Sequence, residues 1–126
     1  MASTAFPPTT KTAVTTVKDT IVGKVLSGST ATALTAGANV AIDASLNNLF
    51  TITPAQAESW TITNMLPGQR IFIIIVASSG TRTVTFSTGF KPVSGTISAT
   101  DTKSFVLQFI SDGTNAYEVS RTTAIT

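Results

Sequence analysis

The sequence contains no cysteine and no histidine. Without thiols or imidazoles the chain cannot build a Cys/His zinc centre, a Ser/His/Asp or Cys/His nucleophile, a histidine-ligated haem or an imidazole pH switch. The lack of cysteine leaves the redox compartment open, because a cysteine-free chain is stable on either side of a membrane. Charge is scarce as well. Lys and Arg number 8 and Asp and Glu 6, so only 11% of residues are charged, about half the share of an ordinary soluble domain. No Asn-x-Ser/Thr acceptor occurs. The first residues, Met1 to Thr10, lack a basic start followed by an apolar run, and no stretch reaches the ~18 apolar residues of a membrane span, so neither export by signal peptide nor membrane insertion is expected.

What the chain has in abundance is β-formers. Thr supplies 25 residues, Ile 11, Val 10 and Phe 7; with Tyr and Trp the strand-favouring set reaches 55, against 36 for Ala, Leu, Glu, Lys, Arg, Gln and Met. Thr and Ser together make 38 residues, so hydroxyls rather than ions must wet the surface. A length of 126 residues suits one domain with a real core. The expected fold class is all-β: short alternating segments suit a sandwich or a small barrel, and a single β-sandwich is favoured.

The sequence pI of 9.3 invites a nucleic-acid reading, but the charge is in the wrong place. Residues 1 to 36 hold Lys11, Lys18, Lys24 and Asp19; residues 37 to 126 hold five basic and five acidic residues and sum to zero. Nucleic-acid binding draws on clustered Lys and Arg, often interleaved with aromatics, and these lysines stand six or seven apart with no aromatic between them. No nucleic-acid partner and no membrane partner are expected.

Two regions differ in texture. In residues 1 to 36, Thr, Ala and Ser make 19 of the 36 and large apolar residues are few, which reads as an extended amino-terminal arm or linker. Pro7 and Pro8 hold its start extended, and the run 27 to 33 resembles a hinge. Val14, Val17, Ile21 and Val25 fall at helix-like spacing, yet the interleaved β-branched residues and Gly23 make a poor helix, so a strand or docked arm is favoured. Residues 37 to 126 form the β domain. Strands are expected at 38 to 43, 46 to 53, 58 to 64, 70 to 77, 82 to 87, 104 to 110 and 115 to 121. Trp60 and Ile62 should point inward while Thr61 and Thr63 face out, and Val84 and Phe86 should alternate with Thr83 and Thr85. Leu66-Pro67-Gly68-Gln69 suits a type II turn; 78 to 80 and 111 to 115 read as hairpin loops, making successive strands neighbours.

Two strands break the alternation. Ile71-Phe72-Ile73-Ile74-Ile75-Val76 has no solvent face, and Ser104 to Ile110 sets Phe105, Leu107 and Phe109 on one face with Val106 and Ile110 among polar residues on the other. One face of each serves the core. The other needs a covering loop of the same chain or a second subunit, and self-association through Phe72, Ile74, Val76, Val106 and Ile110 is the favoured reading.

Catalytic chemistry finds little to work with. No two carboxylates are close in sequence, although a glycosidase pair can assemble through space. Asp112 before Gly113 and Asp43 before Ala44-Ser45 are better explained as turn residues. There is no calcium loop and no Gly-rich phosphate loop. Trp60 and Tyr117 are candidates for a sugar-stacking platform, but their phase, shared with Ile62 and Val119, points both into the core. No enzymatic activity, cofactor, metal or catalytic residue is expected.

A succession of short motifs adds a further reading. Asp43-Ala44-Ser45-Leu46-Asn47-Asn48-Leu49-Phe50 is followed by Leu66-Pro67-Gly68-Gln69-Arg70 leading into an apolar strand, then Gly80 to Phe86, a Phe90-Lys91-Pro92 step, Phe105 to Ile110, Asp112-Gly113 and Tyr117-Glu118-Val119. In order and spacing these resemble the small jelly-roll-like β-sandwich domain of tailed-bacteriophage virion proteins, both capsid decoration (cement) proteins and head or tail fibres. The resemblance covers residues 43 to 119 and implies a trimeric, non-enzymatic virion component, made in the host cytoplasm and carried on the outer capsid surface. A chain this short favours a decoration protein that stabilises the head; a phage fibre or a receptor- or carbohydrate-binding tip is the alternative. The implied partners are two further copies in a homotrimer, the major capsid protein, and a second cement or fibre protein. The arm would then attach to the capsid through Phe6, Lys11, Val14, Val17, Lys18, Ile21 and Lys24.

Overall fold

The computed structural model describes residues 30–126, and within them Ala31–Thr126 forms one compact unit. The described residues contain strands and turns and no helix. Ten strands follow one another: β1 (Thr32–Ala33), β2 (Asn39–Asp43), β3 (Leu49–Ile52), β4 (Glu58–Thr63), β5 (Pro67–Val76), β6 (Arg82–Phe86), β7 (Phe90–Lys91), β8 (Thr96–Ala99), β9 (Ser104–Asp112) and β10 (Ala116–Arg121). They form a six-stranded sheet in the order β1-β3-β5-β9-β10-β7 and a four-stranded sheet in the order β2-β4-β6-β8.

The connectivity is solenoid-like. Through β6 the chain crosses from one sheet to the other at every turn, and each strand pairs in parallel with the strand two places earlier. Consecutive strands thus make rungs, stacked one strand spacing apart. The direction reverses only in the second half, where β9 lies antiparallel to both β5 and β10 and β8 lies antiparallel to β6. The expectation that successive strands are neighbours therefore holds only for the β9–β10 hairpin around Asp112 and Gly113. The turn at 78 to 80 instead carries the chain across the core, from β5 in one sheet to β6 in the other. A jelly roll is built of antiparallel pairs, so the parallel stack of β1, β3 and β5 beside that of β2, β4 and β6 departs from jelly-roll connectivity.

One core fills the space between the sheets, drawn from alternate residues of nearly every strand. Ile71, Ile73 and Ile75 of β5 face Val40, Ile42, Trp60, Ile62 and Val84 of the other sheet, and all are buried. The alternation is the ordinary pleat of a β-strand, with period two. An aromatic chain ties the sheets together at one side: Trp60 meets Phe86 edge-on at 5.8 Å, Phe86 meets Phe90 at 5.2 Å, and Phe90 meets Phe109 at 5.1 Å. Such edge-on pairs add about 1 kcal/mol each beyond the area they bury.

Three short strands escaped the sequence pattern. β1 and β7 have two residues each, too few for any periodicity, and β8 lies in a polar Ser/Thr/Gly stretch. β1 falls within residues 1–36 and pairs with β3, Thr32 opposite Phe50 and Ala33 opposite Thr51.

The turn from β6 to β7 needs Gly89. Its φ is +90°, and a Cβ there would stand 2.2 Å from the carbonyl oxygen of Ile62. That oxygen belongs to a strand flanked on both sides and has no room to retreat. Gly89→Ala should therefore cost at least ~2 kcal/mol and lower the melting temperature by about 10 °C, while Gly37→Ala, with open space around it, changes little. Thermal unfolding followed by circular dichroism reads both.

Candidate functional site

The outward face of β5 and β9 gathers the apolar residues that the core does not use. The antiparallel register sets Phe72 opposite Gln108, Ile74 opposite Val106, Val76 opposite Ser104 and Arg70 opposite Ile110. Because side chains alternate along each strand, Phe72, Ile74, Val76, Val106 and Ile110 all project from the same outer face of the six-stranded sheet. Phe72, Ile74 and Val106 are half-buried, Val76 is 43% exposed and Ile110 39%. Neighbouring strands enlarge the patch: Leu49 stands opposite Phe72, Tyr117 opposite Ile110, and Ile125 bridges to Ser104. Its one basic border is the row Arg70, Ile110, Tyr117 and Lys91 across β5, β9, β10 and β7.

Tyr117 corrects the sequence reading. It does not enter the core; it is 43% exposed, and its hydroxyl donates to Asp112 Oδ2 at 3.2 Å. The phase of β10 is set by its neighbours, Ala116 and Glu118, which point inward. The Glu118 carboxylate is fully buried and paired with Arg121, whose Nε and Nη2 donate to its two oxygens. A sequence pattern treats a Glu as outward-facing, and the half-buried Arg121, which makes four hydrogen bonds, is what reverses it. Glu118 also accepts the Val93 amide at 2.7 Å, and the Arg121 guanidinium donates to the carbonyls of Thr96 and Ser94 and lies 5.5 Å from the centre of the Phe86 ring. This clamp fastens residues 93–96 to β10.

Three further acids, Glu58, Asp43 and Asp112, are engaged in structure. Glu58, buried at the start of β4, accepts the Trp60 indole at 2.8 Å and the Gly37 amide at 3.1 Å, which ties the β1–β2 connection to the core. Asp43 Oδ1 accepts the Ser45 hydroxyl at 2.6 Å, the Ser45 amide and the Asn64 side chain. These donors, the Ser45 hydroxyl first, hold its carboxyl below the usual aspartate value. The amides of Asn115 and Thr114 do the same for Asp112 in the β9–β10 turn. Gln69 locks the same end of the domain by donating to the carbonyl of Ala44 and to Asn48 Oδ1. Among the described residues, no three His, Cys, Asp or Glu side chains group as metal ligands would, and no helix is long and apolar enough to cross a membrane.

The structure thus brings together all five residues expected at a self-association surface. Leu49, Tyr117 and Ile125 join them. Leu49 stands in a strand that reads as alternating, and only the pairing of β3 with β5 shows that it borders the patch. The arm residues Phe6, Lys11, Val14, Val17, Lys18, Ile21 and Lys24 lie outside the described residues. Comparison with protein-family models, curated proteins and solved structures finds no match.

Two outcomes follow from the polar sites. Arg121→Met leaves the Glu118 carboxylate buried without its cation and frees residues 93–96, so it should cost about 3 kcal/mol in denaturant unfolding; the double variant with Glu118→Met should recover part of that loss. Asp43 and Asp112 titrate lower in the folded chain than in the unfolded one. Their contribution is therefore complete above the ordinary aspartate pKa and lost as pH falls through the lowered folded values. Melting temperature should be flat above about pH 5 and fall in more acid buffer, and the fall should be shallower in Asp43→Asn and Asp112→Asn.

Proposed function

We propose that this chain is a non-enzymatic structural component of a virion: a capsid decoration protein that sits as a homotrimer on the outer surface of a tailed-bacteriophage head and stabilises it. The observation that carries the reading is the continuous apolar outer face of β5 and β9. In a domain whose core is already complete between its two sheets, Phe72, Ile74, Val76, Val106 and Ile110 add nothing to the core, and an obligate interface is the ordinary use of such a surface. The virion, the threefold assembly and the β-sandwich kinship come from the resemblance over residues 43 to 119. Attachment to the major capsid protein is assigned to the amino-terminal arm, where three copies per trimer would make modest contacts from Phe6, Val14, Val17, Ile21 and the three lysines multivalent.

Light scattering on the purified chain tests the assembly. A homotrimer is expected, and Ile74→Asp should dissociate or aggregate it; a wild-type monomer at high micromolar concentration removes the reading. Immunogold labelling of intact particles with antibody against the chain tests the location. Gold on heads supports a decoration protein, gold on tails moves the chain to a fibre, and unlabelled particles overturn the virion assignment. Replacing Lys11, Lys18 and Lys24 with Gln should leave the trimer intact and weaken its retention on heads.

A further inference from the structure

The two ends of the strand stack are finished differently. At one end the edge strands are β7 and β8, and both are blunted. The β8 edge is occupied by Arg121, whose guanidinium takes the carbonyls of Thr96 and Ser94, and β7 is two residues long and ends on Lys91. Charged side chains and short strands of this kind are how sheets avoid further pairing. At the other end the edge strands are β1, as short as β7, and the five-residue β2, along which no charged side chain among the described residues takes the outward carbonyls as Arg121 does on β8.

The hydrogen-bond phase of β2 shows what it leaves open. Ser59 donates to the carbonyl of Ala38, and Ala44 donates to the carbonyl of Thr63, so the even-numbered residues 38 to 44 are those that bond to β4 in the parallel ladder. The amides and carbonyls of Asn39 and Ala41 then point away from β4, along the free edge. Both residues are exposed, and Val40 and Ile42, which alternate with them, are buried. Beside this edge, between β1 and β2, lies a cleft of about 380 Å³ whose lining includes Leu34, Val40 and Phe50 together with Ala33, Ala41 and Asp43. Asp43 is the one charged residue in that lining. Its Oδ1 is held by Ser45 and Asn64, and those donors keep the carboxylate ionised at ordinary pH.

We propose that the β1/β2 edge is a strand-acceptor site: an extended segment of a partner protein adds beside β2, sets small or β-branched side chains into the cleft, and places a lysine or arginine near Asp43. Three features select that occupant. Free amides and carbonyls on alternate residues call for an extended backbone, which supplies affinity through main-chain bonds. Leu34, Val40 and Phe50 line the cleft beside Thr32 and Thr35, a mixed surface that suits valine or threonine at alternate positions. The one fixed charge is negative. The β8 edge of another copy is a poor occupant because Arg121 already holds it, so stacking of this chain end to end is disfavoured. The inference concerns a different surface from the proposed trimer face and does not rest on the virion reading.

The test is nuclear magnetic resonance on the full-length labelled chain, titrated with a synthetic capped peptide that alternates valine and threonine and ends in lysine. Shifts at the amides of Asn39, Ala41 and Asp43 are expected. A matched peptide ending in glutamate should need about threefold more to reach the same shift, and Asp43→Asn should erase that difference. A peptide N-methylated at alternate residues should not bind. Ala41→Pro removes a donor that faces the free edge and spares the ladder to β4, so it should fold normally and weaken binding about fivefold; Asn39→Pro serves the same purpose if Ala41→Pro does not fold. The proposal is overturned if these amides do not respond at millimolar peptide, if the response falls on β5 and β9 instead, or if the methylated peptide binds as well as the parent.

Discussion

The register of β5 governs everything else in this domain. It is the longest strand, and it joins the parallel stack, through β3, to the antiparallel part, through β9. A strand with one apolar face fixes its own register, because slipping by one residue turns that face to water. β5 cannot do so. From Ile71 to Val76 both faces are apolar, and a slip would exchange Ile71, Ile73 and Ile75 for Phe72, Ile74 and Val76 at little cost in buried area. The register is held instead by the polar residues at the start of the strand. Gln69 reaches the carbonyl of Ala44 and the side chain of Asn48, the Phe72 amide donates to the carbonyl of Asn48, and Gly68 adopts a φ of +80° that few other residues accept. A few hydrogen bonds in the loops thus decide which isoleucines form the core and which form the outer patch.

The same division explains what was legible in the sequence. Period-two alternation, with the apolar runs at 71 to 76 and 104 to 110, located seven strands, and it gave the inward set correctly at Trp60 and Ile62 and at Val84 and Phe86. It failed where the local pattern and the tertiary pairing disagree. At Tyr117 and Glu118 a buried ion pair inverts the expected phase. In β1 and β7 there are too few residues to carry a pattern at all. Connectivity was beyond reach for a different reason. A turn such as Ser78-Ser79-Gly80 can close a hairpin or cross a core about 10 Å thick, and composition alone does not distinguish the two paths. The outer patch was legible for the converse reason: an unbroken apolar run sets large side chains on both faces of its strand.

With charge so scarce, the structural use of several ionised groups can be read directly. Glu58 fixes the β1–β2 connection, Asp43 and Asp112 organise turns, and Glu118 with Arg121 pins residues 93–96. Of these only Asp112, which accepts the Tyr117 hydroxyl, borders the outer patch of β5 and β9, whose neutral centre is also bordered by Arg70 and Lys91. Threonine and serine wet the remaining surface without adding long-range fields, so encounters at that face are governed by shape and burial more than by steering.

The parallel stacking of β1, β3 and β5 also has a mechanical meaning. In a stack, each rung is held chiefly by the rung beside it, so stability is passed along the array rather than shared by the whole. The outermost rung, β1 with β2, has one neighbour, and β1 contributes only two residues to its sheet. Tension entering from the amino-terminal side would meet these strands first and peel them singly, in the manner of a zipper. Tension across β5 and β9 would have to shear a long antiparallel ladder at once. The domain therefore has a compliant end and a stiff centre.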